Sequence, residues 1–534
     1  MRKTRVTKVV AFILCCAIGL AGCGKEPSDE ETEKTSNATI KFYSWGNETE
    51  IDLTRALVEE FNEMNVDGIK VEFTPIPSGD YETKVSNSLR GRNVPDVIIA
   101  GDGEIKNWIE QGGIAQLDEY AAKSETIHLE SMWEDGVNRY RYDVEAHKGG
   151  TGNLYGIVRD YSPSVLYYNK DAMAAVGIDC ISLSREESAA TYGTEEAYFE
   201  KDGTLYFNNQ IALDWDSFLA LSQKLTSNTA APVRNDKSIT KYGLYAIYWF
   251  GFGWSVGGDC LEWVEDASLP TGGKYEFTLF DETKNYIVNE NNTVTVNGRT
   301  YQAGEIVSYS DKAQLTAADQ ALCTELPSQM EAMQFFVDLS VKHGVSPKPD
   351  VSDSNSTYGL FSSQQCAMLI DTRYAVGIFR KTIGDSFDWD VAPLPVYKDG
   401  IAAGHSGSQS YCIPEKSTKK DAAWKFIEWM SADHAQSKYA EAGFIIPNTM
   451  ELSASDTFLQ PGQKPENAKI FVDAAYYQRS GDWGYLPSKA WINEWSIELN
   501  NNVLMGEMTL QELRDRHEEA TQEIVDAYYE VKHE

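Results

Sequence analysis

The sequence predicts an α/β fold in which a mostly parallel sheet is flanked by helices, divided over more than one domain. Three observations carry this. Short β-branched runs alternate with helical patterns in the amino-terminal part, one of those runs reads as a buried strand, and 534 residues exceed what one compact core supports. Thr39-Ile40-Lys41-Phe42-Tyr43-Ser44-Trp45 reads as a strand that Gly46-Asn47 breaks. From Glu50 a helical pattern puts Leu53, Leu57, Val58 and Phe61 on one face. Lys70-Val71-Glu72-Phe73 alternates as a second strand, and residues 81–89 return to helical spacing. Val94-Pro95-Asp96-Val97-Ile98-Ile99-Ala100 is a buried-strand run, followed by a helix carrying Ile105, Trp108 and Ile109. Strands separated by helices of this length form βα units, whose sheets bind ligands beyond the carboxyl ends of their strands. Trp45 and Asp102 fall at such ends.

The first 22 residues read as a leader. Arg2, Lys3, Arg5 and Lys8 precede an uncharged run that stops at Leu20-Ala21-Gly22-Cys23. A basic start, a short apolar core and small residues at its end describe a secretory signal, too short for a comfortable membrane span. Small residues before a cysteine resemble the lipobox of bacterial lipoproteins, which implies cleavage before Cys23 and a lipid on its thiol. Residues 24–37, GKEPSDEETEKTSN, are charged and polar and form a tether that cannot offset its ordering entropy by burial.

Composition narrows the partners. An apolar share of 42% with 13 tryptophans indicates packed globular structure, and a formal charge of −34 opposes binding to nucleic acid. Cys180, Cys260, Cys323, Cys366 and Cys412 remain beyond the leader and Cys23, an odd number without CxxC spacing, so neither a disulfide framework nor a zinc site is expected. The histidines are scattered without metal-ligand spacing, and no cofactor is expected. HExxH and Walker A patterns are absent from the sequence.

The order of several segments resembles the family 1 extracellular solute-binding proteins, the sugar-binding components of ABC importers. Asn93-Val94-Pro95-Asp96-Val97 followed by Gly112-Gly113-Ile114-Ala115-Gln116-Leu117-Asp118 is similar to that family's "PDV…GxLxxLD" signature. Leu166-Tyr167-Tyr168-Asn169-Lys170 resembles its inter-lobe crossing, and Asp214-Trp215-Asp216-Ser217-Phe218 its "TWDEF" helix start. FSSQQCAMLIDTR (361–373) and Ala442-Gly443-Phe444-Ile445-Ile446-Pro447 resemble later family segments, so the likeness runs from residue 38 onward.

The resemblance implies a two-lobe periplasmic-binding-protein-like fold of type II, each lobe a mostly parallel sheet flanked by helices, with the ligand cleft between. Mapped onto this chain, residues 38–163 plus 405–455 form one lobe and 164–404 plus 456–534 the other, with crossings near 162–166, near 404–412 and after 447. Insertions near 179–213 and 274–326 decorate the second lobe. In the latter, Thr293 to Tyr301 alternates around Asn297-Gly298 and reads as a β-hairpin. The implied function is capture of a carbohydrate, an oligosaccharide, and delivery to the permease subunits of an ABC importer at the outer face of the cell membrane.

A sugar presents apolar CH faces and a hydroxyl rim, so its site needs aromatic platforms and polar groups at the edges. Candidate platforms are Tyr43, Trp45, Trp249, Trp254, Tyr374, Trp491 and Trp495, although any one tryptophan has core packing as an equal alternative. Candidate rim groups are Asp102, Asp371 and Arg373; Asp102 has a second reading as the cap of the helix near Glu104. Two other function classes stay open, a lipid-anchored carbohydrate-active enzyme with two carboxylates across a cleft and a carbohydrate-sensing surface protein. The anchor makes the first testable prediction. Cys23→Ala should move the protein from the membrane fraction to the medium or to an uncleaved precursor, and unchanged fractionation of the variant would reject lipidation.

Overall fold

The chain, seen in a computed structural model, is described over residues 38–226, 233–234, 237–238, 241–246, 249–352, 357–481 and 484–530. The leader, Cys23 and the tether lie outside the described residues, as does Trp483. Nine strands join into one sheet: β1 (Thr39–Ser44), β2 (Lys70–Pro75), β3 (Val97–Gly101), β4 (Ile157–Asn169), β5 (Tyr242–Ala246), β6 (Cys366–Thr372), β7 (Trp389–Ala392), β8 (Gly404–Cys412) and β9 (Gln478–Arg479). Their order in space is β5-β6-β4-β8-β3-β1-β2, with β7 paired to β4 and β9 to β8.

Strand direction separates two kinds of pairing. β1 lies parallel to β2 and β3, β5 to β6, and β8 to β9. The antiparallel pairings of this sheet all involve β4 or β8, the strands that cross between the two halves. β4 runs for 13 residues and every one is buried. Its first part, to Pro163, pairs with β8; from Ser164 onward it pairs with β6, and from Leu166 also with β7. Proline lacks the N–H that a central strand uses, and Pro163 stands where β4 exchanges one set of partners for the other. Its carbonyl is satisfied by the Arg373 N–H at 3.0 Å.

Each half has its own core. Leu57, Val58 and Phe61 on helix α1 (Glu48–Met64) pack with β1 and β3 and with Phe426, Ile427 and Met430 of the returning chain. Asn47 fixes the start of α1, its side-chain carbonyl accepting from the Glu50 N–H at 3.0 Å. Helix α2 (Ser78–Arg90) covers the same core with Tyr81, Val85 and Leu89, and helix α3 (Asp102–Glu110) follows β3 directly. In the second half, helix α4 (Trp215–Leu225) starts where the resemblance puts a helix start, and the Asp214 side chain caps it by accepting from the Ser217 N–H. Helices α5 (Ala490–Glu498) and α6 (Leu510–Asp526) close that core with Trp491, Trp495, Leu513 and Val525. The opposite face of β6 packs on a further cluster containing Tyr167, Phe379, Trp389 and Phe471. In the hairpin anticipated at Asn297-Gly298, strands Thr293–Val296 and Arg299–Gln302 flank two residues at φ 51° and 82°.

A bulge between β4 and β8 turns charge inward. Gln409 faces Asp160 while Ser410 faces Val158, which leaves Arg159 as the extra residue. Arg159 pairs with Glu50 at the start of α1, lies 3.3 Å from Asp160, and donates to Gln409 Oε1 at 2.8 Å. Its guanidinium also stacks 5.2 Å from the Tyr439 ring centre. Breaking a buried pair strands a charge, so Glu50→Ala should lower the unfolding free energy by about 3–5 kcal/mol in chemical denaturation. A loss below about 1 kcal/mol would mean that Asp160 alone suffices for Arg159.

Candidate functional site

The carboxyl end of β3 meets the second half of the chain through buried polar groups. Asp102 opens α3 but does not cap it: the cap position is Gly101 and makes no side-chain bond. Asp102 Oδ2 instead lies 3.3 Å from Arg139 and accepts from Ser480 Oγ at 2.5 Å. Arg139 also donates to the Ser406 carbonyl of β8 at 2.6 Å and to Asp135 at 2.8 Å, and its guanidinium lies 5.1 Å from the Tyr161 ring centre on β4. One buried cation thus ties the β3 end to both crossing strands.

Residues Arg479, Ser480 and Tyr485 carry this network to the second half. Beside Ser480, Arg479 approaches Asp259 at 3.9 Å and stacks 5.8 Å from the Trp254 ring centre. Tyr485 donates its hydroxyl to Asp259 Oδ2 at 2.5 Å. Burial pushes the Asp259 carboxyl up, against the opposing pull of Arg479, Tyr485 and Trp254. Burial and the Asp259 charge lift half-buried Glu262 to about 8. On the first half, burial brings Lys106 down to about 8, while Asp102 pulls the other way. Burial and Arg139 hold His405 down at about 3, so its ring is neutral. Lys489 completes the bridge with Glu104 at 3.3 Å and Glu82 at 3.8 Å.

Two α/β halves joined by crossing strands, with polar groups buried between them, match known proteins. Residues 45–437 match the family model described as "Bacterial extracellular solute-binding protein". The chain belongs to the bacterial extracellular solute-binding protein family. Among similar solved structures is an ABC substrate-binding protein from Listeria monocytogenes in complex with cycloalternan, at TM-score 0.63 and 18% identity, covering 92% of this chain and 99% of that one. Maltose-bound MalE3 from T. maritima has TM-score 0.59 and 16% identity over 91% and 100% of the two chains. UgpB from Mycobacterium tuberculosis in complex with glycerophosphocholine has TM-score 0.61 and 14% identity over 92% and 100%. At these identities the likeness is one of fold. Among the described residues of this solute-binding protein, no helix is long and apolar enough to cross a membrane and no group of three or more His, Cys, Asp or Glu side chains could hold a metal ion.

The predicted site residues fall into five places. Asp102 and Trp254 join through Ser480 and Arg479, as described. Tyr43, Trp45 and Tyr374 are half-buried at the edge of the first core. The Tyr374 hydroxyl accepts from Asn47 Nδ2 at 2.6 Å, linking the loop after β6 to the loop after β1. Trp249 packs edge-on against Trp495, ring centres 5.4 Å apart, and lines a cavity of about 340 Å³ with Phe336, Ile497 and Asn501. Trp491 and Trp495 are fully buried in the second core. Asp371 and Arg373 leave the group altogether. Successive strand residues face opposite ways, and these two share the face of Leu369, toward the cluster behind β6. The Arg373 guanidinium lies between Phe458 and Phe471, 4.8 and 5.1 Å from their ring centres.

Sequence reasoning missed Arg139, Arg479, Ser480, Tyr485 and Lys489. Asp259 carried a signal, since it follows the aromatic run 249–254 across Gly257-Gly258. The others are joined to the site only by long-range folding and had none. Asp371 yields a pH prediction. Burial raises its carboxyl to about 7, above the roughly 3.9 of an unfolded aspartate. Its protonated form is therefore the one that suits the fold, and the contribution of Asp371 to stability falls as pH rises from about 4 to about 7. Asp371→Asn should match wild type near pH 4 and melt higher near pH 8; equal melting temperatures at both pH values would contradict this environment.

Proposed function

We propose that this protein is a lipid-anchored extracellular receptor that captures an oligosaccharide between its lobes and delivers it to the permease subunits of an ABC importer. Cys23 carries the anchor and residues 24–37 hold the folded part off the membrane. Cycloalternan and maltose in similar structures support a carbohydrate ligand, and glycerophosphocholine in another leaves the choice of ligand to the chemistry of the walls.

The observation that carries the reading is the pairing of wall chemistries at neighbouring strand ends. β1 and β3 are adjacent in the sheet, and beyond them stand half-buried Trp45 and buried Asp102. Asp102 Oδ2 takes both bonds from Arg139 and Ser480, while Oδ1 takes none from the described residues. A carboxylate held in place with one oxygen unused suits a sugar hydroxyl, and a flat indole suits a CH face. Tyr374 and Tyr43 stand with Trp45 at the edge of the first core, Trp254 lies buried under Arg479 in the second half, and Trp249 lines its own cavity. Trp491 and Trp495 support the second lobe from its core. Ligand touching both lobes favours the closed arrangement, which is how capture becomes a signal to the permease.

A thermal-shift screen of mono- and oligosaccharides should find a ligand that raises the melting temperature by mass action. With that ligand, Trp45→Ala, Tyr374→Ala and Asp102→Ala should each weaken binding by about 1–3 kcal/mol, roughly ten- to a hundredfold, in calorimetric titration. Trp495→Ala is the contrast: it should cost about 3–5 kcal/mol of stability with or without ligand. Normal binding by all three site variants would reject this cleft. Release of reducing ends from oligosaccharides by the purified protein would replace the receptor reading.

A further inference from the structure

The two lobes also touch at a second place, next to the Asp102 network but made by other side chains. In the first lobe, a small antiparallel unit pairs Arg141–Asp143 with Lys148–Gly149 and with Asn153–Leu154. Tyr142, Leu154 and Tyr155 seat it on the first core. Opposite it, the antiparallel pair Leu261–Glu265 and Gly273–Phe277 is seated on the second core through Leu261, Tyr275 and Phe277.

Between the two hairpins, the Lys148 ammonium stands 4.1 Å from the ring centre of Trp263 and 3.7 Å from Glu265 Oε1. The same Glu265 oxygen accepts from the Trp263 indole N–H at 2.8 Å. Trp263 and Glu265 are two residues apart on one strand, so they share a face and present ring and carboxylate to one cation. Tyr275 and Tyr529 brace the Trp263 ring, their centres 5.3 and 6.2 Å away. Beside Lys148, His147 meets the Tyr529 ring edge-on at 6.4 Å and lies 2.7 Å from Glu110 of its own lobe. At Gly149 the backbones come close: a Cβ there would lie 3.8 Å from the Gly484 carbonyl oxygen and 2.9 Å from Lys106 Cε.

We propose that Lys148, Trp263 and Glu265 form a clasp that holds the lobes together at one edge of the cleft before ligand arrives. The cation comes from one lobe, and the ring and the carboxylate come from the other. Opening must pull the ammonium off both, whereas motion within either lobe leaves the contact intact. The clasp rests on the two-lobe closing motion of the proposed receptor, and it is separate from the residues proposed to touch ligand.

Small-angle scattering of the mature chain without ligand tests it. Lys148→Glu places two carboxylates against the indole face and should lower the closed-to-open ratio by about five- to thirtyfold, seen as a larger radius of gyration. Lys148→Arg keeps the cation over the ring and should scatter as wild type does. Trp263→Leu removes the ring from the other lobe and should open the molecule as Lys148→Glu does, so one poorly folding variant does not decide the question. Circular dichroism melting checks that each variant is folded. Wild-type scattering from both Lys148→Glu and Trp263→Leu would overturn the clasp, as would equal opening in Lys148→Arg. None of these samples contains carbohydrate, so a failed glycan screen rejects the receptor reading without touching the clasp, and unchanged scattering does the reverse.

Discussion

A buried strand must pair its backbone along its whole length, and β4 is buried at every residue. The rest of the architecture depends on meeting that demand from two lobes in turn. β8 serves the first part of β4, and β6 and β7 serve the second. The two parallel sheets implied by βα units therefore fuse into one hydrogen-bonded array. Pro163 sits at the exchange of partners, where a missing N–H costs the ladder least. The same strand that joins the lobes is thus the place where each lobe's pairing ends, which is where bending disturbs the fewest bonds.

Two buried guanidinium groups guard this junction from opposite sides. Arg139 gathers Asp102, Asp135, Tyr161 and the Ser406 carbonyl. Arg159, turned inward by the bulge, gathers Glu50, Asp160 and Gln409. Burying such charges is costly unless each is paired and hydrogen-bonded, and both are. Their partners lie at the starts of α1 and α3 and on the crossing strands, so the groups that face the cleft are fixed to the strands about which the lobes are joined. Ser480 and Tyr485 add the complementary half by holding Asp102 and Asp259 in turn. A ligand that displaced or extended these bonds would act on both lobes at once.

Much of the fold was legible because its signals are local. The strand at 39–45, the helix carrying Leu57, Val58 and Phe61 and the buried run 94–100 each follow from patterning over a few residues. The Asn297-Gly298 turn is equally local. The site was legible only in part. Trp45 and Asp102 could be placed because strand ends in α/β sheets are where ligands bind. Asp371 and Arg373 end a strand as well, but which face a side chain takes depends on register, and register placed Arg373 among phenyl rings. Trp491 and Trp495 show the other failure, since an indole reads the same in a sequence whether it lines a cleft or fills a core. Ser480 and Lys489 reach the cleft through contacts hundreds of residues apart in sequence, Arg139 reaches Asp102 across a turn of the fold, and no spacing rule finds them.

The central claim is that ligand is held between the lobes, against the ends of β1 and β3, and the most direct measurement is a crystal structure with the carbohydrate that most raises the melting temperature. Density is predicted for a sugar in contact with Trp45, with a hydroxyl within hydrogen-bond distance of Asp102 Oδ1 and contacts from the second half of the chain on its other side. Density confined to the cavity beside Trp249, or to a surface outside the cleft, would contradict it.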